Sequence, residues 1–238
     1  MRIDRFFYSG SAAVFLLLLL AGFHPFFLHR THFDGSAIDP SIFWIVAVHG
    51  IAITAWFVLF LAQSLLIAVR NRKLHMTLGW SAIAVGIAVA GSGTLVAVRS
   101  VQLTPGFVFF NMEYPRFLLA MFMEMAMFTA FLTTGIVMRK KPGIHRPMML
   151  LTGLAILPGA TARVPMLYPV FGHSGWVGLF GPAFCLGALL LLFRQGMTRK
   201  FDLWFAGGYA IWIVAYIAST SLSLTDTWSR MATRILAL

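Results

Sequence analysis

Two histidines, His75 and His145, stand in matched settings: IAVRNRKLHMTLGW (67–80) and IVMRKKPGIHRPMML (136–150) each end an apolar run in a basic turn and open the next run with the histidine. Imidazoles at the same end of two parallel helices can ligate one low-spin haem iron from opposite faces. Arg72, Lys73 and Arg146 beside them can neutralise propionates at a membrane surface. The competing reading of either histidine alone is a polar residue at an interfacial position, where it is tolerated.

Three further ionisable residues fall inside apolar runs, where a charge is costly and marks a candidate site. Counting 1.5 Å per residue from the nearer run end puts His49, Glu124 and Arg163 at roughly 12, 13 and 8 Å of depth. A glutamate and an arginine at compatible depths are expected to pair, because an unpaired charge in hydrocarbon costs more than a paired one. They form either a structural ion pair or, with His49 and His24, a polar pocket in the outer half. MFMEMAMF (121–128) surrounds Glu124 with Met121, Met123, Met125 and Met127. Thioethers are soft ligands for copper(I) or haem iron, and also plastic packing material. FHPFFLHRTHFD (23–34) places His24, His29 and His32 near one another, with His173 in a later connection, a set that suits zinc or copper but matches no closed structural spacing. No P-loop, GxSxG, HExxH or GxGxxG is present.

The elements that must hold these residues follow from composition. Of 238 residues, 60% are hydrophobic and 11% charged, and mean hydropathy is +0.86. An ordinary soluble domain carries about 25% charged residues, so the solvent of this chain is mostly lipid and its fold class is all-α, a polytopic transmembrane helical bundle. Apolar runs at 6–28, 41–69, 76–98, 115–138, 147–168, 176–193 and 203–222 each approach the roughly 20 residues a spanning helix needs, giving about seven helices. The chain reads as a single membrane domain, 1–238, with a candidate core bundle at 41–168 and peripheral helices at 6–28, 176–193 and 203–222. The first run resembles a signal peptide but lacks a small-x-small cleavage site, and reads as a retained helix.

The net charge of +11 lies in short connections, which argues for topology and against nucleic acid as a partner. Arg70, Arg72, Lys73, Arg139, Lys140, Lys141, Arg146, Arg194, Arg199 and Lys200 share one side, which the positive-inside rule makes cytoplasmic together with the N-terminus. TWSRMATRILAL (227–238) reads as an interfacial helix. Gln63 and Trp56 are expected to face the bundle, the amide bridging helices. GWSAIAVGIAVAGSG (79–93) permits close approach of a neighbouring backbone or a flat cofactor. Cys185 is the single cysteine, so no intrachain disulfide forms.

His49, Gln63, Arg70, LHMTLG (74–79), IHRPMM (144–149) and Arg163 together resemble a bacterial family of multi-pass membrane proteins of unknown function, with an H…Q…HRxLG…HRxWM…R pattern. The resemblance covers residues 45–165, with Met76 in place of the first motif's arginine, and implies a bacterial inner (plasma) membrane location. A looser resemblance is to cytochrome b561-type electron carriers. It implies haem b on His75 and His145, and a second, outer site at His49 whose partner on the fourth run is Met121, Met123 or absent. The expected function is thus a b-type haem protein moving electrons between a membrane quinol or cytoplasmic donor and a redox partner. The rivals are a transporter or small-molecule binder using His49, Glu124 and Arg163, and an accessory subunit of a larger membrane complex.

Overall fold

The computed structural model describes residues 4–32, 35–109, 112–172 and 175–237. In chain order they form α1 (Asp4–His29), α2 (Pro40–Ala68), α3 (Arg72–Gly79), α4 (Ser81–Leu103), the two-residue strands β1 (Val108–Phe109) and β2 (Met112–Glu113), α5 (Tyr114–Val137), α6 (Pro142–Ala155), α7 (Pro158–Thr161), α8 (Tyr168–Phe171), α9 (Gly175–Thr198), α10 (Leu203–Ser223) and α11 (Asp226–Leu236). The strands pair only with each other, as a hairpin before α5. Among the described residues six helices are long and apolar enough to cross a membrane, and a seventh crossing exists if the bent pair Pro142–Thr161 and Pro165–Phe171 is one span. The chain is therefore a multi-pass helical membrane protein.

Helix starts follow local chemistry. Asp39 accepts from the Ser41 N–H (2.8 Å) ahead of α2, Asn71 from Leu74 (3.1 Å) ahead of α3, and Asp202 from Phe205 (3.0 Å) ahead of α10, each satisfying an orphan donor of a first turn. Three helix ends turn on arginines in the left-handed region: Arg30 (φ 57°), Arg70 (φ 66°) and Arg199 (φ 53°). A side chain there costs about 1–2 kcal/mol relative to the right-handed region, a cost glycine avoids. Arg70→Gly is accordingly expected to stabilise the protein by up to about 1 kcal/mol. A thermal midpoint in detergent that stays put or falls would overturn this.

The run at 147–168 is not one straight helix. α6 stops at Ala155, α7 restarts at Pro158, and the segment after Thr161 leaves at 85°. Pro158 has no N–H to give Leu154, and Pro165 removes another donor, so the ladder cannot continue through either. The interrupted backbone is tolerated because residues 147–164 are almost all buried in protein. Around this segment Gly153 admits the Phe15 ring of α1, Gly208 of α10 admits Leu151, and Gly22 brings α1 directly onto the Ala160 carbonyl. The core is continuous through α1, α2, α5, α6, α9 and α10, with Phe15, Phe57, Phe128, Phe180, Trp212 and Tyr216 essentially inaccessible. The helices at 6–28, 176–193 and 203–222, expected to be peripheral, thus all contribute to the same core as 41–168.

The run at 76–98 is likewise divided, with a short α3 turning into α4 at Trp80. Gln63 of α2 explains the weak point. Oriented to satisfy its surroundings, its side-chain amide donates to the His75 main-chain carbonyl (3.1 Å) and accepts from the Gly79 N–H (2.9 Å). Those are the two groups an undisturbed α-helix bonds to one another.

At the end opposite the basic turns, α11 lies across α4 and α5. Trp228 and Ala232 are buried against Ala97, Val101 and Leu118, and the Trp228 indole donates to the Pro115 carbonyl (3.0 Å). Arg230 and Arg234 remain exposed on its other face, the amphipathic division expected of an interfacial helix.

Candidate functional site

The two matched histidines meet. The ring centroids of His75 on α3 and His145 on α6 are 6.4 Å apart, with planes at 79°. Each ring is held through Nδ1 by a carbonyl of the preceding long helix: His75 faces the Gln63 main-chain oxygen (3.3 Å) and His145 the Gly135 oxygen (2.8 Å). The turns match as well, since Val69 and Met138 close their helices on Leu65 and Thr134, and His75 and His145 donate their N–H groups to Asn71 and Lys141. The repeated sequence pattern is a repeated local structure.

An imidazole whose Nδ1–H is given to a carbonyl keeps its Nε2 lone pair for a ligand, the arrangement usual for metal-bound histidine. Two imidazoles bonded to one metal at about 2 Å each place their ring centroids about 6 Å apart, close to the spacing observed. Burial, the dominant effect, lowers the pKa of His75; the nearby His145 and Arg146 act the same way, and the Gln63 carbonyl opposes them. Burial thus favours the neutral ring. Because the folded pKa lies below the unfolded value, this histidine costs stability as pH falls through the ordinary histidine range near 6.5. Arg72, Lys73 and Arg146 are exposed around the pair, and the Arg139 guanidinium lies 5.8 Å from the Trp80 ring centroid.

Gln63 is the further member of this site. In the orientation that bridges His75 and Gly79, its amide nitrogen also faces His75 Nδ1 and competes there with the Gln63 main-chain carbonyl: a proton on Nδ1 goes to the carbonyl and leaves Nε2 free, whereas an Nδ1 that accepts from the amide leaves the proton on Nε2. The sequence marks Gln63 as a helix-bridging amide; that its target is the histidine's own turn follows only from the packing of α2 on α3.

The outer-half residues separate into two groups. Glu124 on α5 lies within electrostatic reach of Arg163, which follows α7, and of Tyr216 on α10. Arg163 stands over the Phe23 ring (5.1 Å) and donates to the Gly159 carbonyl, while the Tyr216 hydroxyl donates to the Ala155 carbonyl (3.4 Å) at the end of α6. This polar group surrounds the break between α6 and α7. His49 lies elsewhere, with Nδ1 on Ser92 Oγ (3.0 Å) and its ring edge beside Gly93 and Met125. Tyr216 and Ser92 carry no sequence signal as isolated hydroxyls. Met125 is one of the four methionines at 121, 123, 125 and 127, and their spacing does not single it out.

His24 bonds the Ala21 carbonyl of its own helix (2.9 Å), and His29 is exposed at the end of α1. Among the described residues no group of three or more histidine, cysteine, aspartate or glutamate side chains gathers in a way that could hold a metal ion. His173 lies outside the described residues. No family model matches the chain, and no curated protein or solved structure matches it either.

Proposed function

We propose that the protein is a b-type haem membrane protein in which His75 and His145 would hold the haem iron, carrying electrons between a membrane quinol or a donor at the basic face and a redox partner. The observation that carries this reading is the histidine pair itself, with matched anchoring of both Nδ1 atoms and a ring separation of 6.4 Å. When bound, haem supplies reversible one-electron chemistry at iron. The chain's own residues do the rest. The Gln63 and Gly135 carbonyls orient the rings and raise their basicity, and Arg72, Lys73 and Arg146 offer positive charge where carboxylates would reach the surface. A reduced-minus-oxidised visible spectrum of detergent-purified protein, expressed with haem supply, is expected to show sharp b-type bands. A folded, colourless protein containing no haem by mass would overturn the proposal.

Gln63→Leu keeps the main-chain carbonyl but removes the amide clamp on the His75 turn. Loss of such an outer-shell partner typically weakens metal binding about 10–100-fold. Haem transfer to excess apomyoglobin measures this, and an unchanged transfer rate would assign Gln63 to packing alone.

A second reading is favoured by the broken α6–α7 crossing. Interrupted helices enclosed at membrane depth line the sites of many transporters, and here Glu124, Arg163 and Tyr216 surround the break. On this reading Glu124→Gln and Arg163→Leu abolish solute binding or uptake and leave any chromophore intact. Wild-type uptake in both variants would remove it.

A further inference from the structure

α2 and α4 run antiparallel and touch through layers seven residues apart. At the middle layer a methyl on Gly86 would collide with Leu132 and stand 3.8 Å from Trp56; at the outer layer a methyl on Gly93 would collide with Met125 Sδ and stand 3.0 Å from Cε1 of His49. The sulfur and the imidazole edge therefore both border the small space that the absent side chain of Gly93 leaves. Ser92 Oγ donates to the Ala88 carbonyl, so the lone pair it turns to His49 accepts from Nδ1–H, leaving Nε2 as the unprotonated nitrogen. Met125 also lines a groove of about 640 Å³ between α4 and α5, open on the bundle surface. Three threonines in that lining, Thr94, Thr129 and Thr134, donate their hydroxyl protons to Ala90, Met125 and Ala130 of their own helices. The rest of the lining, Ala90, Phe122, Ala126 and Ala130 among it, is apolar, so these hydroxyls are the groove's main polar contribution.

We infer that His49 Nε2 and Met125 Sδ form a binding site for copper(I), reached through the α4–α5 groove. An uncharged nitrogen and thioether pair selects a soft ion of low charge; divalent zinc, calcium or magnesium would demand thiolate or carboxylate ligands to offset a second charge in the membrane. With metal–nitrogen and metal–sulfur bonds of about 2.0 and 2.3 Å, the donors of such a site are about 4 Å apart, a separation a small side-chain adjustment at Gly93 supplies. Ser92 acts as a positioning residue by fixing the ring tautomer. The site is independent of the His75–His145 pair and stands or falls separately from it.

The test is an anaerobic titration of the purified full-length protein with copper(I), kept reduced by ascorbate, against the chromogenic chelator bicinchoninate. The expected result is one copper(I) per chain held in competition with the chelator, with nitrogen and sulfur neighbours in its X-ray absorption spectrum. Met125→Leu, a volume-conserving change, and His49→Leu should each weaken binding at least tenfold, Ser92→Ala should weaken it less, and His29→Ala should leave it unchanged. Thermal melts of the copper-free variants verify folding, and Met125→Leu decides if His49→Leu does not fold. Copper that is not retained, that is retained equally by Met125→Leu, or that is lost in His24, His29 or His32 variants overturns the proposal.

Discussion

Replacing either His75 or His145 by alanine is expected to remove the b-type bands of the purified protein, and to do so equally. A haem held between two imidazoles would depend on both of them. The structure makes the two positions equivalent in a testable way, since each ring is anchored by Nδ1 to the helix before it, at Gln63 and at Gly135. His49→Ala serves as the contrast, because His49 faces Gly93 and Met125 in another layer and should leave the bands in place. Visible spectra with haem quantified per chain decide the matter. Bands that survive His145→Ala would dismiss the pair as an iron site whatever became of His75.

The second large effect concerns stability. Arg194 near the end of α9 donates from Nε to the Asp202 carboxylate (2.7 Å), and the two side chains are only 15% and 13% exposed. Asp202 also caps α10, and the Arg194 guanidinium lies 5.3 and 5.0 Å from the Phe7 and Tyr8 ring centroids of α1. One ion pair therefore joins three helices at the basic end. Asp202→Ala removes the cap and this carboxylate of the buried pair; breaking a buried pair from one side typically costs about 3–5 kcal/mol. Equilibrium unfolding in mixed micelles should register that loss, while the double variant Arg194→Leu/Asp202→Ala should recover part of it, because the buried cation is then removed as well. A single variant within about 0.5 kcal/mol of the parent would show that lipid or water already screens the pair.

Much of the architecture is legible in the sequence because hydropathy and basic turns are read directly by the bilayer. What defeats that reading is irregular backbone. Residues 147–168 form one apolar run, and nothing in their hydropathy distinguishes a straight helix from one that stops at Ala155, although Pro158 and Pro165 mark where donors are missing. Sequence depth places Glu124 and Arg163 within reach of one another, and the structure couples them electrostatically. The same depths put His49 at that level but not on that side, because depth carries no rotational information. Which of four methionines turns to His49 is a matter of how α5 is rotated against α4, and the sequence does not single out Met125. Gln63 illustrates the opposite case: its polarity singles it out, but the two groups it joins are one helical turn of a different helix.

The seven-residue layering of α2 on α4 also has an electrical meaning. At 1.5 Å per residue, the level of His49 and the level of Gln63 lie about 21 Å apart along the helix axis, which is about two-thirds of a hydrocarbon core roughly 30 Å thick. A full crossing of one elementary charge is worth about 2.3 kcal/mol per 100 mV, so a charge displaced between the two levels would sense about 1.5 kcal/mol of it. Any electron or ion that moves from one end of this column to the other therefore does work against, or draws it from, the membrane potential. In an energised membrane the occupancies of the two levels would shift by about tenfold per 100 mV, a bias that detergent solution abolishes.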